Sequence, residues 1–374
     1  MRVQEFTLDQ LGSIARGRSR HRPRDAAFLY GGPFPFVQTG DVKKAGLYLR
    51  EYEQTYSEAG LAQSKLWPVG TLCITIAANI AETAILDVEA CFPDSVIGFT
   101  ADPMRADTRF VKYLFDAVLK MRLRSFTQGA AQDNLSQEKL LSVKFPVPDL
   151  PVQKRVADIL AAYDNLIENN RKRIALLEQS ARLLYREWFV YLRFPGHEHV
   201  KNVDGVPQGW ERRSLGTIIE LRYGKALKES ERVEGAFPVY GSSGVVGTHN
   251  SAIVEGPAVV VGRKGNVGSV YWVPSDFWPI DTVYYVPRGQ ANYWLYLTLP
   301  SIGFQNTDAG VPGLNRDFAY SRKVLLPSER FLELFDEAID PMLAQITTLQ
   351  RLNRKLAEAR DLLLPRLISG EIPA

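Results

Sequence analysis

The segment Gly262-Arg263-Lys264-Gly265-Asn266 sets two cations and an amide on a glycine-flanked turn. Arginine and lysine neutralise phosphates, and a guanidinium fork or an amide can pair with base edges in a nucleic-acid groove. Glycines on both sides let such a turn approach a groove without steric cost. Groups of the same chemical kind recur along the chain. Tyr240 is followed by Gly241, Ser242, Ser243 and Gly244, small polar groups suited to a phosphate or a base edge. Lys225 follows Tyr223-Gly224, and Asn315-Arg316 follows Gly313. Arg18 and Arg20 belong to a basic run that also holds Arg16, His21, Arg22 and Arg24 and suits phosphate contact. Gln38-Thr39-Gly40-Asp41 with Lys43 and Lys44, and Gln132 with Asn134, complete the set. The competing reading for each is an ordinary solvated loop, because Lys, Asn and Ser favour turns anyway.

Signals for catalysis are thin. Gly262, Gly265 and Gly268-Ser269 are spaced somewhat like a phosphate loop, but the Gly-Lys-[Ser/Thr] element that grips a nucleotide is missing. No Asn- or Asp-Pro-Pro-aromatic segment occurs, so base methylation is not expected of this chain. Asp41-x-Lys43 matches the tail of a metal-dependent nuclease signature, yet the nearest upstream acid, Asp25, sits behind Pro23. His197 and His199 flank Glu198 without further ligands, so no metal site is expected. Two alternatives to DNA reading stand beside it: a stand-alone metal-dependent DNA endonuclease built on Asp41, and a coiled-coil scaffold that binds only proteins.

The elements that must position these groups come in two copies. Leu11-Gly12-Ser13-Ile14 returns as Leu215-Gly216-Thr217-Ile218, and Phe34-Pro35-Phe36 as Phe237-Pro238-Val239. Gly129 and Asn134, ahead of Phe145-Pro146-Val147-Pro148, match Gly310 and Asn315 ahead of Leu325-Leu326-Pro327. A period of roughly 180 residues is too long for a solenoid and indicates a duplicated module. Each copy carries strand patterns, such as Gly70–Ala77, Ala258–Gly262, Val267–Val273 and Thr282–Val286. Helices are predicted around Thr108–Leu123 and Asn292–Leu299. The first copy of the Arg263 turn is Ala77-Ala78-Asn79-Ile80-Ala81-Glu82, which keeps an amide, Asn79, and loses both cations. The pairs Tyr271-Trp272 and Tyr284-Tyr285 read as strand core rather than stacking platforms.

A long helix closes each copy. Val156, Leu160, Tyr163, Ile167, Asn170, Ile174, Leu177, Ala181, Leu184 and Trp188 alternate by four and three, a coiled-coil seam with one polar residue. Phe335, Ile339, Met342, Ile346, Leu349, Asn353, Leu356 and Leu363 repeat the pattern, again with one Asn. Asp340-Pro341 reads as an N-cap and first-turn proline, and Pro365 as a stop. About 40 residues per helix correspond to roughly 60 Å at 1.5 Å per residue. Burying one leucine is worth ~2 kcal/mol, so neither seam stays in water. Packing the two helices on each other, antiparallel because they follow equivalent domains, is the economical solution. Pairing of each helix with another protein is the rival.

The expected organisation is α+β: a β-rich domain over 1–149, a spacer helix over 150–195, a second β-rich domain over 196–325 and a second spacer helix over 326–374. The net charge of +3 is spread without a strongly basic block, so a nucleic-acid surface must come from local patches. Cys73 and Cys91 cannot form a disulfide framework, and the chain reads as cytoplasmic and reduced. No apolar run reaches membrane-spanning length and no signal peptide opens the chain, so no membrane partner is expected.

Leu150-Pro-x-Gln-x-Arg-x-Ala-x-Ile-Leu160, followed by Leu177-Glu178, Ala181-Arg182-x-Leu184-Tyr185-Arg186 and Trp188-Phe189, resembles the specificity subunit of type I restriction–modification systems. The segment Leu362 to Ile372 looks like that family's C-terminal helix end. Gly262–Ser269 with Asp281-Thr-Val-Tyr-Tyr285 resembles its target-recognition domains. The resemblance covers essentially the whole chain and implies a division of labour. Each recognition domain would read one half of a split, asymmetric site on double-stranded DNA, and the helices would set the spacing. Two modification subunits, holding S-adenosylmethionine and the methyl-transfer chemistry, would dock on the helices, with restriction subunits as further partners. The chain itself would need no cofactor and no catalysis. Any rigid pair of readers must respect the helical phase of DNA, whose turn is roughly 34 Å.

Overall fold

The computed structural model describes residues 3–127, 137–304 and 313–374, with the backbone alone for 119–127 and 139. It resolves into two compact units, Met1–Arg173 with Leu349–Ala374, and Ile174–Thr348. Each unit therefore owns part of both long helices.

In the first unit, strand Gly12–Arg16 borders Val96–Ala101, followed in space by Leu72–Thr75, Thr83–Leu86 and Tyr48–Leu49. All pairings are antiparallel except the last, where Tyr48–Leu49 runs parallel to Thr83–Leu86. The middle strands Leu72–Thr75 and Thr83–Leu86 are buried along their length, because one face meets helix Thr108–Thr127 and the other a second apolar cluster around Trp67 and Phe92. Strands covered on both faces read as unbroken apolar runs rather than alternating ones. The second unit repeats the arrangement with four strands, Arg222–Tyr223, Val283–Val286, Ala258–Gly262 and Val270–Val273, all antiparallel. A further sheet places Phe237–Gly241 between Gly244–His249 and Trp278–Pro279.

A clasp of two strands joins the start of each unit's reader to its end. Val3–Phe6 pairs with Phe145–Pro148, directly before the first long helix. Glu211–Ser214 pairs with Lys323–Leu326, directly before the second.

The first long helix runs Leu150–Tyr185 and ends in a wider turn over Arg186–Val190. Within the first unit it lies antiparallel to the second. Asn170 donates through Nδ2 to Asn353 Oδ1 at 2.9 Å, Asp164 pairs with Arg360, and Arg155 Nε meets the Ala374 carbonyl at 3.1 Å. The two seam asparagines thus satisfy each other, and Asn170 is only 1% exposed. Within the second unit the helices meet through rings: Phe335 lies 4.8 Å from Phe189, 5.6 Å from Trp188 and 6.4 Å from Tyr185.

Two expectations about the second helix fail. It is continuous from Glu329 to Ser369, so Asp340-Pro341 does not begin it and Pro365 does not end it. An interior proline loses one hydrogen bond and costs ~3 kcal/mol. Around Pro341 that cost is offset by Phe335 and Ile339 before it and Ile346 and Leu349 after it, all buried. Beyond Pro365, Leu367 and Ile368 are buried in the first unit's core and hold the last turn. Gly370, at φ +77°, ends the helix instead. The predicted shorter helices are present as Thr108–Thr127 and Tyr293–Thr298, the latter capped by Asn292 Oδ1 accepting from the Leu295 N–H at 2.8 Å.

Candidate nucleic-acid interface

In the second unit the fully buried strand Ala258–Gly262 delivers the chain to the Arg263 turn. Gly262 is required there, since a Cβ would stand 2.1 Å from the Asn266 carbonyl oxygen. The turn closes on itself: Gly262 N–H donates to Ser269 O at 2.7 Å and Gly268 N–H to Gly262 O at 2.9 Å. Gly265 and Gly268 take left-handed φ values of +76° and +79°. The Arg263 and Lys264 N–H groups both donate to the Thr282 carbonyl, at 2.9 and 3.1 Å, which fixes the turn to the neighbouring strand.

From this frame Lys264 and Asn266 project exposed, and Asn266 Nδ2 donates to Ser243 Oγ at 3.2 Å. The Ser242 carbonyl accepts from the Ser269 hydroxyl at 2.7 Å and from the Tyr271 hydroxyl at 3.2 Å. The Ser242-Ser243 turn and the Arg263 turn therefore stand side by side. Tyr240 points inward, with Phe277 5.6 Å away, and burial raises its phenol pKa. The Arg263 guanidinium carbon lies 5.2 Å from the Tyr223 ring centre and 5.7 Å from that of Tyr284, while Arg263 Nε is buried without a partner among the described residues. Arg316 approaches the same Tyr223 ring at 5.4 Å and Tyr320 at 5.9 Å. Asn315 Oδ1 is occupied in capping helix Arg316–Ser321, accepting from Asp317 and Phe318 N–H groups at 2.8 and 3.1 Å. Lys225 is exposed, with its Nζ 5.9 Å from the Trp278 ring.

Tyr223 was not among the sequence candidates. The residue is 52% exposed, and two guanidinium groups lie 5.2 and 5.4 Å from its ring centre. The Tyr284 hydroxyl beside it, and then the Arg263 and Arg316 cations, lower its phenol pKa. Its position directly ahead of Gly224-Lys225 was the available signal, but a strand tyrosine is usually core.

The family model for the type I restriction modification DNA specificity domain matches residues 2–179 and 207–306. The chain belongs to that family. The MjaIX type I restriction enzyme specificity subunit of Methanocaldococcus jannaschii is 23% identical over 92% of this chain and 88% of that protein. The EcoprrI specificity subunit of Escherichia coli is 22% identical over 95% of this chain and 92% of that protein. The crystal structure of a type I restriction-modification S subunit from M. genitalium superposes with a TM-score of 0.62 at 18% identity, covering 98% of this chain and 96% of that one, and shares its fold.

In this specificity-domain protein the first unit rebuilds the second unit's frame with different side chains. Thr75 N–H donates to Glu82 O at 3.0 Å, Ala81 N–H to Thr75 O at 2.9 Å, and Ile76 N–H to Ser95 O at 2.9 Å. These match the bonds of Gly262, Gly268 and Arg263 one for one. Ala78 and Ala81 take the left-handed φ values, +60° and +64°, that the second unit gives to Gly265 and Gly268. Ile76 and Ala77 thus stand where Arg263 and Lys264 stand. Asn79 keeps the place of Asn266 but is half-buried, its carbonyl accepting from the Thr75 hydroxyl.

A second correspondence concerns the edge strand. Gly17 N–H donates to Val96 O at 2.9 Å and Arg18 N–H to Phe92 O at 3.0 Å; Gly224 N–H donates to Val283 O at 3.2 Å and Lys225 N–H to Pro279 O at 2.9 Å. Both glycines are forced, since a Cβ would lie 2.3 Å from Phe92 O at Gly17 and 2.0 Å from Ile280 O at Gly224. Arg18 and Lys225 therefore occupy one position of the repeated frame.

The other first-unit candidates are divided in their availability. Arg16 donates to the Asp94 carbonyl at 2.8 Å, Arg24 pairs with the Asp94 carboxylate at 2.9 Å, and Arg22 donates to the Ser19 carbonyl at 2.7 Å. Arg18 and Arg20 remain exposed, with no ion pair among the described residues; the Arg20 N–H is held by Gln63 Oε1. Gln38 and half-buried Thr39 open helix Thr39–Lys44; Gln38 Nε2 donates to Gln54 Oε1 at 2.6 Å and its N–H to Asp41 Oδ2 at 2.8 Å. The Asp41 carboxylate, which the nuclease alternative needs, is thus buried and engaged in capping this helix. Lys44 is ion-paired with Glu53, which raises its pKa, whereas Lys43 is exposed without an ion pair among the described residues. Gln132 and Asn134 lie outside the described residues. Among the described residues no cluster of His, Cys, Asp or Glu could hold a metal ion, and no helix is long and apolar enough to cross a membrane.

Proposed function

We propose that this chain reads a split, asymmetric site on double-stranded DNA, one half per unit, within a type I methyltransferase or restriction complex, and performs no chemistry itself. The observation that carries this reading is the repetition of one hydrogen-bonded frame, each copy placing an exposed cation, Arg18 or Lys225, beside its edge strand and an asparagine, Asn79 or Asn266, on its turn. Two similar readers on one chain fit two half-sites of one duplex. The paired turns of the second unit, with Lys264, Asn266, Ser243, Lys225 and Arg316, form the richer surface. The first unit offers Arg18, Arg20, Gln38, Thr39, Lys43 and Asn79, and Gln132 and Asn134 are proposed for the same role from the sequence alone.

In this reading the antiparallel helices are the spacer, and two modification subunits dock on them. Those subunits would bind S-adenosylmethionine and transfer the methyl group, so the chain needs no cofactor. A restriction subunit would join the same assembly, and the complex would work in the cytoplasm, where its DNA is.

Methylome sequencing of cells with and without this gene, expressed beside its modification subunit, tests the proposal. Loss of one split methylated motif is the expected result. An unchanged methylome, together with no binding of the purified complex to duplex DNA, would refute it.

A further inference from the structure

Resting on the reading of a split DNA site, we infer that Arg18 and Lys225 are one phosphate anchor used twice: each contacts the DNA backbone at the equivalent point of its own half-site, regardless of base sequence. Three observations lead there. Both residues follow a glycine pressed against a neighbouring carbonyl, and both donate their N–H to a matching carbonyl, Phe92 O or Pro279 O, so the frame fixes the same backbone position in each unit. Both side chains are long cations, exposed and without an ion pair among the described residues, whereas Arg16, Arg22 and Arg24 nearby are engaged with protein oxygens. The adjoining turn, by contrast, changes completely, from Arg263-Lys264 to Ile76-Ala77.

Two half-sites of different sequence have only their sugar–phosphate backbone in common. A position that keeps its charge while its neighbours diverge fits that common element. The exchange of arginine for lysine points the same way. A phosphate accepts either as a positive charge, whereas a bidentate base contact is sensitive to the fork geometry of arginine.

The test uses the full chain assembled with its modification subunits and measures binding to two labelled duplexes, one carrying the methylated motif and one of mixed sequence, over a range of salt concentrations. Arg18→Ala and Lys225→Ala are each expected to weaken binding to both duplexes by the same factor. Each should make the slope of log affinity against log salt shallower by about one unit. The methylated motif should stay unchanged, and Arg18→Lys and Lys225→Arg should retain the parent slope. Because both side chains are exposed, an unchanged thermal midpoint confirms that the variants fold. An unaltered slope, a loss confined to the motif duplex, or a changed base in the motif would overturn the anchor while leaving the DNA reading intact. Absence of salt-dependent binding by the parent complex would overturn both.

Discussion

The turns Ile76–Ala81 and Arg263–Gly268 share three backbone hydrogen bonds of their frame, the same two left-handed positions and, apart from one asparagine, little of the same chemistry. Where one has buried Ile76 and then Ala77, the other has two cations between glycines. The comparison shows that the frame is held by backbone groups and by its neighbouring strand, which leaves the side chains free to change. What a unit reads can therefore diverge without disturbing how it folds. The helices differ in a parallel way: an Asn170–Asn353 amide pair and an Asp164–Arg360 ion pair join them in the first unit, a cluster of rings in the second.

Substitutions can break this comparison at several points. The largest effect is expected from Phe335→Ala, which removes the ring shared by Tyr185, Trp188 and Phe189 and should cost about 3–5 kcal/mol in urea unfolding. A value below ~1 kcal/mol would show that the ring cluster does not join the helices. Gly268→Ala should cost about 2 kcal/mol, from a left-handed φ and a Cβ placed 3.0 Å from the Phe304 Cβ. The opposite sign is expected at Ala78, the position that the frame matches to Gly265. Ala78→Gly relieves a left-handed alanine that is exposed, and should gain about 0.5–1 kcal/mol after the extra freedom of the unfolded chain is counted. If both substitutions destabilise, the two turns are not equivalent.

The smallest effect concerns pH. Asp164 in the first unit has Arg360 and Tyr113 as partners, but Asp336 in the second is desolvated and near Asp340, with the Tyr293 N–H as a partial counterweight. Its pKa is raised from 3.8 to about 6. The folded state then holds a proton that the unfolded state has released between those values. The corresponding stability is complete below about pH 4 and is lost as the pH rises through about 6. Asp336→Asn should flatten this dependence in thermal melts taken across that range, and an unchanged slope would assign it elsewhere.

Much of the frame was legible in the residues. The echo of Phe34-Pro35 by Phe237-Pro238 is matched in the structure, where Phe36 lies beside Cys91 and Val239 beside Trp278, both in parallel register. The two seam asparagines also announced themselves by spacing. The continuity of the second helix through Pro341 and Pro365 was not legible, because local chemistry predicts a break and only tertiary burial outweighs it. The equivalence of Arg18 and Lys225 was hidden for a different reason. Apart from the preceding glycine their flanking residues differ, and only the backbone pairing reveals that they bond to matching partners. Tyr223 escaped notice because a strand tyrosine carries no sign of which neighbours will flank it.

The division of the helices has a consequence for the order in which the molecule is made. The second unit is contiguous, Ile174–Thr348, whereas the first needs Leu349–Ala374 to cover its core, with Leu367 and Ile368 packed among residues that include Leu8 and Phe99. On a ribosome adding about 5–20 residues per second, the first unit's sheet emerges early and then waits on the order of ten seconds for that cover. The part synthesised first is completed last, so its apolar helix face spends translation exposed to whatever else is in reach.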